Sequence, residues 1–211
     1  MQAIDSKVIY LHGFASGPSS RKAQAFRKGL LATGVEVTIP ELDGGDFEHL
    51  TITGQLEILR VMAGDEPVRL IGSSMGGYLA ALFAAQRAQS SSVEQLVLLA
   101  PAFGFAERWR PHWLAEAGER PLEVYHYASG TRRQVGFELL EDAERYPAFP
   151  DFSQPALIFH GEKDDVVPVD YSRRFAAGHP NVRLRVLDSD HELLDQMDVI
   201  VAEALTFLAR E

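Results

Sequence analysis

Short runs rich in β-branched and apolar residues alternate with longer amphipathic stretches from one end of the chain to the other. This alternation restricts the fold more than any other feature. The runs are Val8-Ile9-Tyr10-Leu11, Val35 to Pro40, Val68 to Gly72, Leu96 to Pro101, Ala156 to Gly161 and Val182 to Leu187. The first, fourth and fifth read as strands covered on both faces, and the other three are mixed. Between the runs, helical spacing is read over Ser20 to Leu31, Ile52 to Met62, Met75 to Arg87 and Leu193 to Leu208. Pro18 and Ser19 act as start signals for the first of these. Strand, helix, strand, repeated, predicts an α/β fold. The expected architecture is a compact six-stranded, mainly parallel sheet with right-handed crossovers and helices on both faces.

One stretch breaks the pattern. From Phe103 to Phe152 no clean strand-helix unit is visible, and the segment holds Trp109, Trp113, Tyr125, Tyr127, Phe137, Tyr146 and Phe149, punctuated by prolines. Leu122 to Tyr127 and Gln134 to Leu140 flank Ser129-Gly130, which predicts a hairpin. Some fifty residues between two core strands exceed a bare loop, as most connections run to about 4–6 residues. The expectation is one domain over residues 1–211, with a cap inserted over 103–152.

Composition narrows the partners. Lys plus Arg number 20 against 30 Asp plus Glu, a formal net charge of −10, with no Lys/Arg run to make a basic groove. That argues against nucleic acid or an anionic membrane as partner. With no cysteine, disulfides, a thiol nucleophile and thiolate metal sites are excluded. Met1 to Asp5 carries no basic leader, Val8 to Leu11 is too short for a signal core, and the longest apolar run, near Tyr78 to Ala85, is too short to span a membrane. The expected location is cytoplasmic.

The chemistry gathers at the ends of the runs. Gly72-Ser73-Ser74-Met75-Gly76 reads G-x-S-x-G, between a strand and an Ala/Leu-rich helix, as a nucleophile elbow requires. The turn is so sharp that flanking Cβ atoms would clash, and Ser74 would stand exposed at the helix N-terminus; Gly77 leaves room for close packing. A serine hydroxyl needs a base to take its proton. Of seven histidines, His191 is best placed, just after the sixth run and before the last helix. His12 and His160 each precede a glycine at a strand end and read as structural, whereas His49, His112, His126 and His179 lie in loops or the cap. A carboxylate must then orient the imidazole. Asp164 and Asp165 both follow the fifth run on the same edge, and Asp188 and Asp190 are too near His191 in sequence. Serine, aspartate, histidine is the chain order of the α/β-hydrolases. The first run ends in His12-Gly13-Phe14-Ala15, and the backbone N–H groups of Phe14 and Met75 are the expected oxyanion donors.

These residues resemble the α/β-hydrolase superfamily and, within it, the small bacterial YqiA-type esterases. The resemblance lies in Tyr10-Leu11-His12-Gly13-Phe14 with Pro18, Ser20, Lys22 and Ala23, in Gly72 to Gly77, and in Pro101-Ala102. His160-Gly161, Asp164, Val167-Pro168 and Asp190-His191 complete it. The H-G-x-x-D-x-x-V-P spacing selects Asp164 over Asp165. Gly17 departs from the pattern, standing where a serine is expected. The expected activity is that of a serine hydrolase, a carboxylesterase acting on a small, short-chain ester through acyl-Ser74, with His191 as base and Asp164 as its orienter. Phe103, Trp109 and Trp113 are candidate pocket walls. No cofactor and no metal are implied; a metal on His160, Asp164, Asp165 and His191 would cost the triad its carboxylate. The same triad would serve a thioesterase, a C–C bond hydrolase or an amidase. A non-catalytic hydrolase-fold binding protein would be expected to lack a triad member, and none is missing.

Overall fold

The computed structural model describes residues 6–88 and 92–209. The leader reading on residues 1–5 therefore lies outside the described residues. Six parallel strands form the sheet in the order β2-β1-β3-β4-β7-β8: β1 (Lys7–Leu11), β2 (Val37–Thr38), β3 (Val68–Ser73), β4 (Val93–Leu99), β7 (Ala156–Gly161) and β8 (Val182–Leu187). The expected α/β fold with a six-stranded parallel sheet is what the chain adopts. Only Val37 and Thr38 of the second run are paired, at the sheet edge.

Both sheet faces are covered, which is why the central runs lack polar alternation. Ile9, Leu11, Leu70, Leu96, Leu98 and Ile158 enter one core with helices α2 (Ile52–Ala63) and α3 (Met75–Gln86). Val8, Tyr10, Ile71, Val97, Leu99 and Phe159 enter the other, beneath α1 (Arg21–Leu31) and α7 (Met197–Leu208). Every residue of α3 from Met75 to Ala84 is buried, so this helix is apolar all round and holds the elbow rigidly. Ser20, not Ser19, caps α1, its hydroxyl accepting from the Ala23 N–H at 3.4 Å. The last helix begins later than the periodicity predicts. Asp190 Oδ1 accepts from the N–H groups of Glu192 and Leu193, and Leu193 takes a left-handed φ of 57°. A short 3₁₀ turn, Leu194–Gln196, then leads into α7.

Residues 103–152 hold α4 (Phe105–Ala117), the antiparallel hairpin of β5 (Leu122–His126) and β6 (Thr131–Val135), and α5 (Glu138–Ala143). The hairpin's second strand ends at Val135, earlier than predicted, and Leu139 and Leu140 belong to α5. The segment is tied to the body at several points. Tyr127 N–H donates to the Ala15 carbonyl at 2.7 Å and Gly136 N–H to Glu48 at 2.7 Å. Asp142 accepts from the N–H and hydroxyl of Thr53 at 2.6 and 2.7 Å. The hairpin turn also explains Gly17. A Cβ there would stand 2.9 Å from the Ala128 methyl, so the expected serine would not fit unshifted. One further helix, α6 (Val169–Gly178), connects β7 to β8. No helix among the described residues is long and apolar enough to cross a membrane.

Candidate active site

Ser74 stands between β3 and α3 with φ 53° and ψ −115°, a backbone conformation strained for any residue but glycine. The chain tolerates it because the surroundings dictate the turn. Ser74 N–H donates to the Leu99 carbonyl at 2.8 Å, and its own carbonyl accepts from Ala102 N–H at 3.0 Å. The glycines are steric necessities. A Cβ on Gly76 would lie 2.1 Å from the Leu11 carbonyl oxygen, and one on Gly72 would lie 2.3 Å from the Gly76 carbonyl oxygen.

The structure brings Ser74, His191 and Asp164 together. His191 Nε2 lies 3.1 Å from Ser74 Oγ, and His191 Nδ1 lies 2.7 Å from Asp164 Oδ2. A carboxylate can only accept, so Nδ1 carries the proton and donates it to Asp164. Nε2 is thereby left with its lone pair toward the Ser74 hydroxyl, which donates. Gly161 makes this approach possible: a Cβ there would sit 2.4 Å from the Asp190 carbonyl oxygen, so only glycine lets the His191 loop close on the end of β7. Asp165 is exposed, Asp188 pairs with Lys163 at 2.6 Å, and Asp190 caps its own loop.

Asp164 is surrounded by donors. Its Oδ1 accepts from the N–H groups of Val166 at 2.9 Å and Val167 at 2.7 Å. Its Oδ2 faces His191 and also His160, whose Nε2 lies 3.1 Å away. Burial works to raise the Asp164 pKa, but the bonds from His160, His191 and Val167 outweigh it and hold the carboxyl well below the usual carboxylate range. His160, set aside as structural in the sequence, is fully buried, with Nε2 also 2.9 Å from the Val167 carbonyl and Nδ1 2.8 Å from the Ser172 hydroxyl. Both neighbours of Nε2 can only accept, so that nitrogen bears the proton. The four-residue step from His160 to Asp164 across Gly161 was the available signal.

Phe14 N–H makes no internal hydrogen bond among the described residues, and Met75 N–H opens α3, where no carbonyl precedes it to accept. His12 supports the Phe14 loop as a neutral imidazole. Its Nδ1 donates to Gly13 O at 3.0 Å, its Nε2 accepts from Leu42 N–H at 3.4 Å, and burial pushes its pKa down.

Two pocket expectations are corrected. Trp113 is fully buried, with its indole N–H donated to the Arg120 carbonyl at 3.0 Å. Phe103 is equally buried, with its ring 4.5 Å from that of Phe175. Neither presents surface to a ligand, since both aromatic side chains fill the core. Trp109 differs, being only partly buried and meeting the Phe14 ring edge-on at 5.3 Å. Among the described residues, no group of three or more His, Cys, Asp or Glu side chains is arranged to hold a metal ion.

An elbow serine after the third strand, an aspartate after β7 and a histidine after β8, on a parallel sheet of this order, define the α/β-hydrolase fold. Solved structures agree with that fold. Est1E from Butyrivibrio proteoclasticus, with ferulic acid bound, superposes with a TM-score of 0.80 at 23% identity, covering 97% of this chain and 90% of that one. The chain belongs to the Uncharacterised protein family UPF0227, whose pattern matches residues 7–208, in line with the YqiA-type resemblance. It is also 26% identical over 237 residues to 2-hydroxy-6-oxononadienedioate/2-hydroxy-6-oxononatrienedioate hydrolase 2 of Pseudomonas putida, covering 86% of this chain and 79% of that protein. Palmitoyl-protein thioesterase ABHD10 of Bos taurus, a mitochondrial protein, is 24% identical, covering 91% and 69%.

Proposed function

We propose that the protein is a serine hydrolase that cleaves small carboxylic esters through an acyl-Ser74 intermediate. The observation that carries this reading is the continuous line from Ser74 Oγ to His191 Nε2 at 3.1 Å and from His191 Nδ1 to Asp164 Oδ2 at 2.7 Å. Ser74 Oγ attacks the ester carbonyl carbon while its proton passes to His191 Nε2. The carbonyl oxygen, now carrying the electron pair, is received by the N–H groups of Phe14 and Met75, each such donor being worth about 3 kcal/mol in a comparable hole. Asp164 stabilises the imidazolium so formed. The imidazolium returns its proton to the departing alkoxide, and the acyl group stays on Ser74. Water, deprotonated by the same imidazole, then releases the acid.

Residues 103–152 are read as a cap over this site, with Trp109 against Phe14 as the wall nearest the oxyanion loop. The substrate is accordingly small, with a short acyl chain. A thioester would use the same triad and two donors and is the alternative substrate class. Est1E binds ferulic acid, whereas the Pseudomonas and bovine relatives carry hydrolase and thioesterase names; all three are compatible with this triad. The test is labelling with a fluorophosphonate probe, together with turnover of p-nitrophenyl acetate and decanoate. The native chain should be labelled and should prefer the acetate. Ser74→Ala should lose both label and turnover, by roughly 10⁶-fold in a comparable triad. A native chain that resists the probe and cleaves no ester would overturn the proposal.

A further inference from the structure

Arg108 lies one turn into α4, the helix that starts beside the elbow. Ala102 N–H is bonded to the Ser74 carbonyl at 3.0 Å, and α4 begins three residues later at Phe105. Trp109, the next residue, packs against Phe14 at 5.3 Å. Tyr171 of α6 presses its ring onto Gly104, where a Cβ would lie only 2.8 Å from ring atom Cε2. The Arg108 guanidinium stands over that ring, 5.8 Å from its centre. The first turn of α4 is therefore held against both the elbow and the oxyanion loop, and it carries Arg108 with it.

What distinguishes Arg108 is that it is partly buried without a counter-ion. The chain is acidic by ten charges, and two other arginines on the same two helices find carboxylates. Arg110 reaches Glu144 at 2.6 Å, and Arg173 reaches Glu162 at 2.5 Å and Asp170 at 3.0 Å. Arg108 has no hydrogen-bonded or ion-paired partner among the described residues, although it is partly buried. Arg174, also over Tyr171 at 5.0 Å, likewise has no acid partner there. Burial works to lower the Arg108 pKa, and the acid group whose field opposes this, besides the Tyr171 hydroxyl, is Asp164. Asp164 is already committed to Val166, Val167, His191 and His160. A partly buried guanidinium, always charged at neutral pH, thus stands over Tyr171 on the helix that starts beside the elbow, with its donors unspent.

We infer that Arg108 receives an anion carried by the substrate, so that the preferred ester bears a carboxylate within a few bonds of the scissile carbonyl. This rests on the hydrolase reading above and narrows its substrate class. A planar guanidinium binds a carboxylate through two parallel N–H bonds, which fixes orientation as well as charge. Tyr171 beneath it limits the guanidinium's motion, so the ordering cost falls largely on the substrate.

The experiment compares matched esters on the full chain and on Arg108→Gln and Arg108→Lys. Monoethyl succinate carries the anion on the acyl side and acetoxyacetate on the alcohol side; ethyl butyrate and ethyl acetate are their neutral counterparts. The native chain should favour at least one anionic ester over its neutral match in kcat/KM. Arg108→Gln should reduce that ratio about 10- to 100-fold, chiefly through KM, as expected for losing a hydrogen bond to a charged group. Arg108→Lys should restore part of it. A ratio that is the same in the native chain and in Arg108→Gln for both pairs would overturn the inference.

Calorimetric binding of succinate to Ser74→Ala, with and without Arg108→Gln, makes the test independent of turnover. Succinate should bind, and the second substitution should weaken it at least about tenfold. Arg108-dependent succinate binding in a chain that cleaves no ester would sink the hydrolase reading and keep the anion site. Ester cleavage with neither measurement sensitive to Arg108 would do the reverse.

Discussion

Replacing Asp164 by asparagine changes one atom, yet the surroundings dictate a large effect. Oδ1 accepts from two backbone N–H groups, Val166 at 2.9 Å and Val167 at 2.7 Å. An asparagine must keep its carbonyl oxygen there, because its amide nitrogen would otherwise face two donors. The NH₂ is then forced into the place of Oδ2, 2.7 Å from His191 Nδ1 and 3.1 Å from His160 Nε2. His160 cannot yield, since its Nε2–H is held by the Val167 carbonyl at 2.9 Å. His191 can yield by moving its proton to Nε2, and that tautomer donates to Ser74 instead of accepting from it. In the serine proteases the equivalent change costs about 10⁴-fold in kcat, or about 5.4 kcal/mol at 1.36 kcal/mol per decade. Asp165→Asn, at an exposed position, should change kcat by less than about twofold, in keeping with surface substitutions worth within about 0.5 kcal/mol. Burst and steady-state kinetics with p-nitrophenyl acetate, with circular dichroism to confirm folding, give the comparison. Equal losses at the two positions, or a larger loss at Asp165, would refute the argument.

Gly76→Ala should destabilise the chain by about 3 kcal/mol or more, at or beyond the upper end for overpacking, because its Cβ meets the backbone oxygens of Leu11 and His12 at 2.1 and 2.6 Å. Gly77→Ala, with contacts of 3.1–3.2 Å, should cost much less; urea unfolding of both reports the order, and a Gly76→Ala as stable as the native chain would contradict the packing. Asp164 should also shape acid stability. Its folded pKa is depressed, so its contribution is present above the unfolded value of about 3.9 and is lost as pH falls toward the folded one. Between about pH 5 and 3 the native chain should lose stability more steeply than Asp164→Asn, by up to about 1.4 kcal/mol per pH unit for one proton. Parallel slopes in denaturant titrations would show that the carboxylate is not preferentially stabilised by folding.

What the sequence made legible follows from how strongly each element is over-determined. β1, β4 and β7 are apolar because both faces are covered, and a strand buried twice leaves an unmistakable run. α3 was equally clear, being buried all round. α6 is not legible in the sequence because only Val169, Ser172 and Phe175 of its ten residues are buried, one of them polar, so its apolar stripe is barely present. α4 is hidden for a different reason. Pro111 sits inside it and Gly118 ends it, and both read as loop punctuation. Its Phe105, Trp113 and Ala117 bury against α5 and the hairpin, so tertiary packing carries a helix that local propensity would interrupt.

The same distinction separates the site residues that spacing could place from those it could not. Ser74, Asp164 and His191 follow strands whose ends the parallel sheet must bring to one edge, so chain order alone juxtaposes them. His160 is the penultimate residue of β7; its four-residue step to Asp164 is a weak signal, and its burial and its 3.1 Å approach to Asp164 show that it serves that carboxylate. Phe103 and Trp113 read as pocket walls because aromatic residues in an excursion invite that reading, yet both are buried in the core that joins the excursion to one face of the sheet. Arg108 carries no signal in the sequence, where it is one of two arginines flanking Trp109. Its significance comes from what the fold fails to give it: Arg110 and Arg173 meet acids across helix surfaces, whereas Arg108, partly buried over Tyr171, meets none among the described residues. A missing partner is a property of the packed molecule. For that reason the chemistry of the nucleophile could be read from spacing, while the chemistry of the substrate had to wait for the structure.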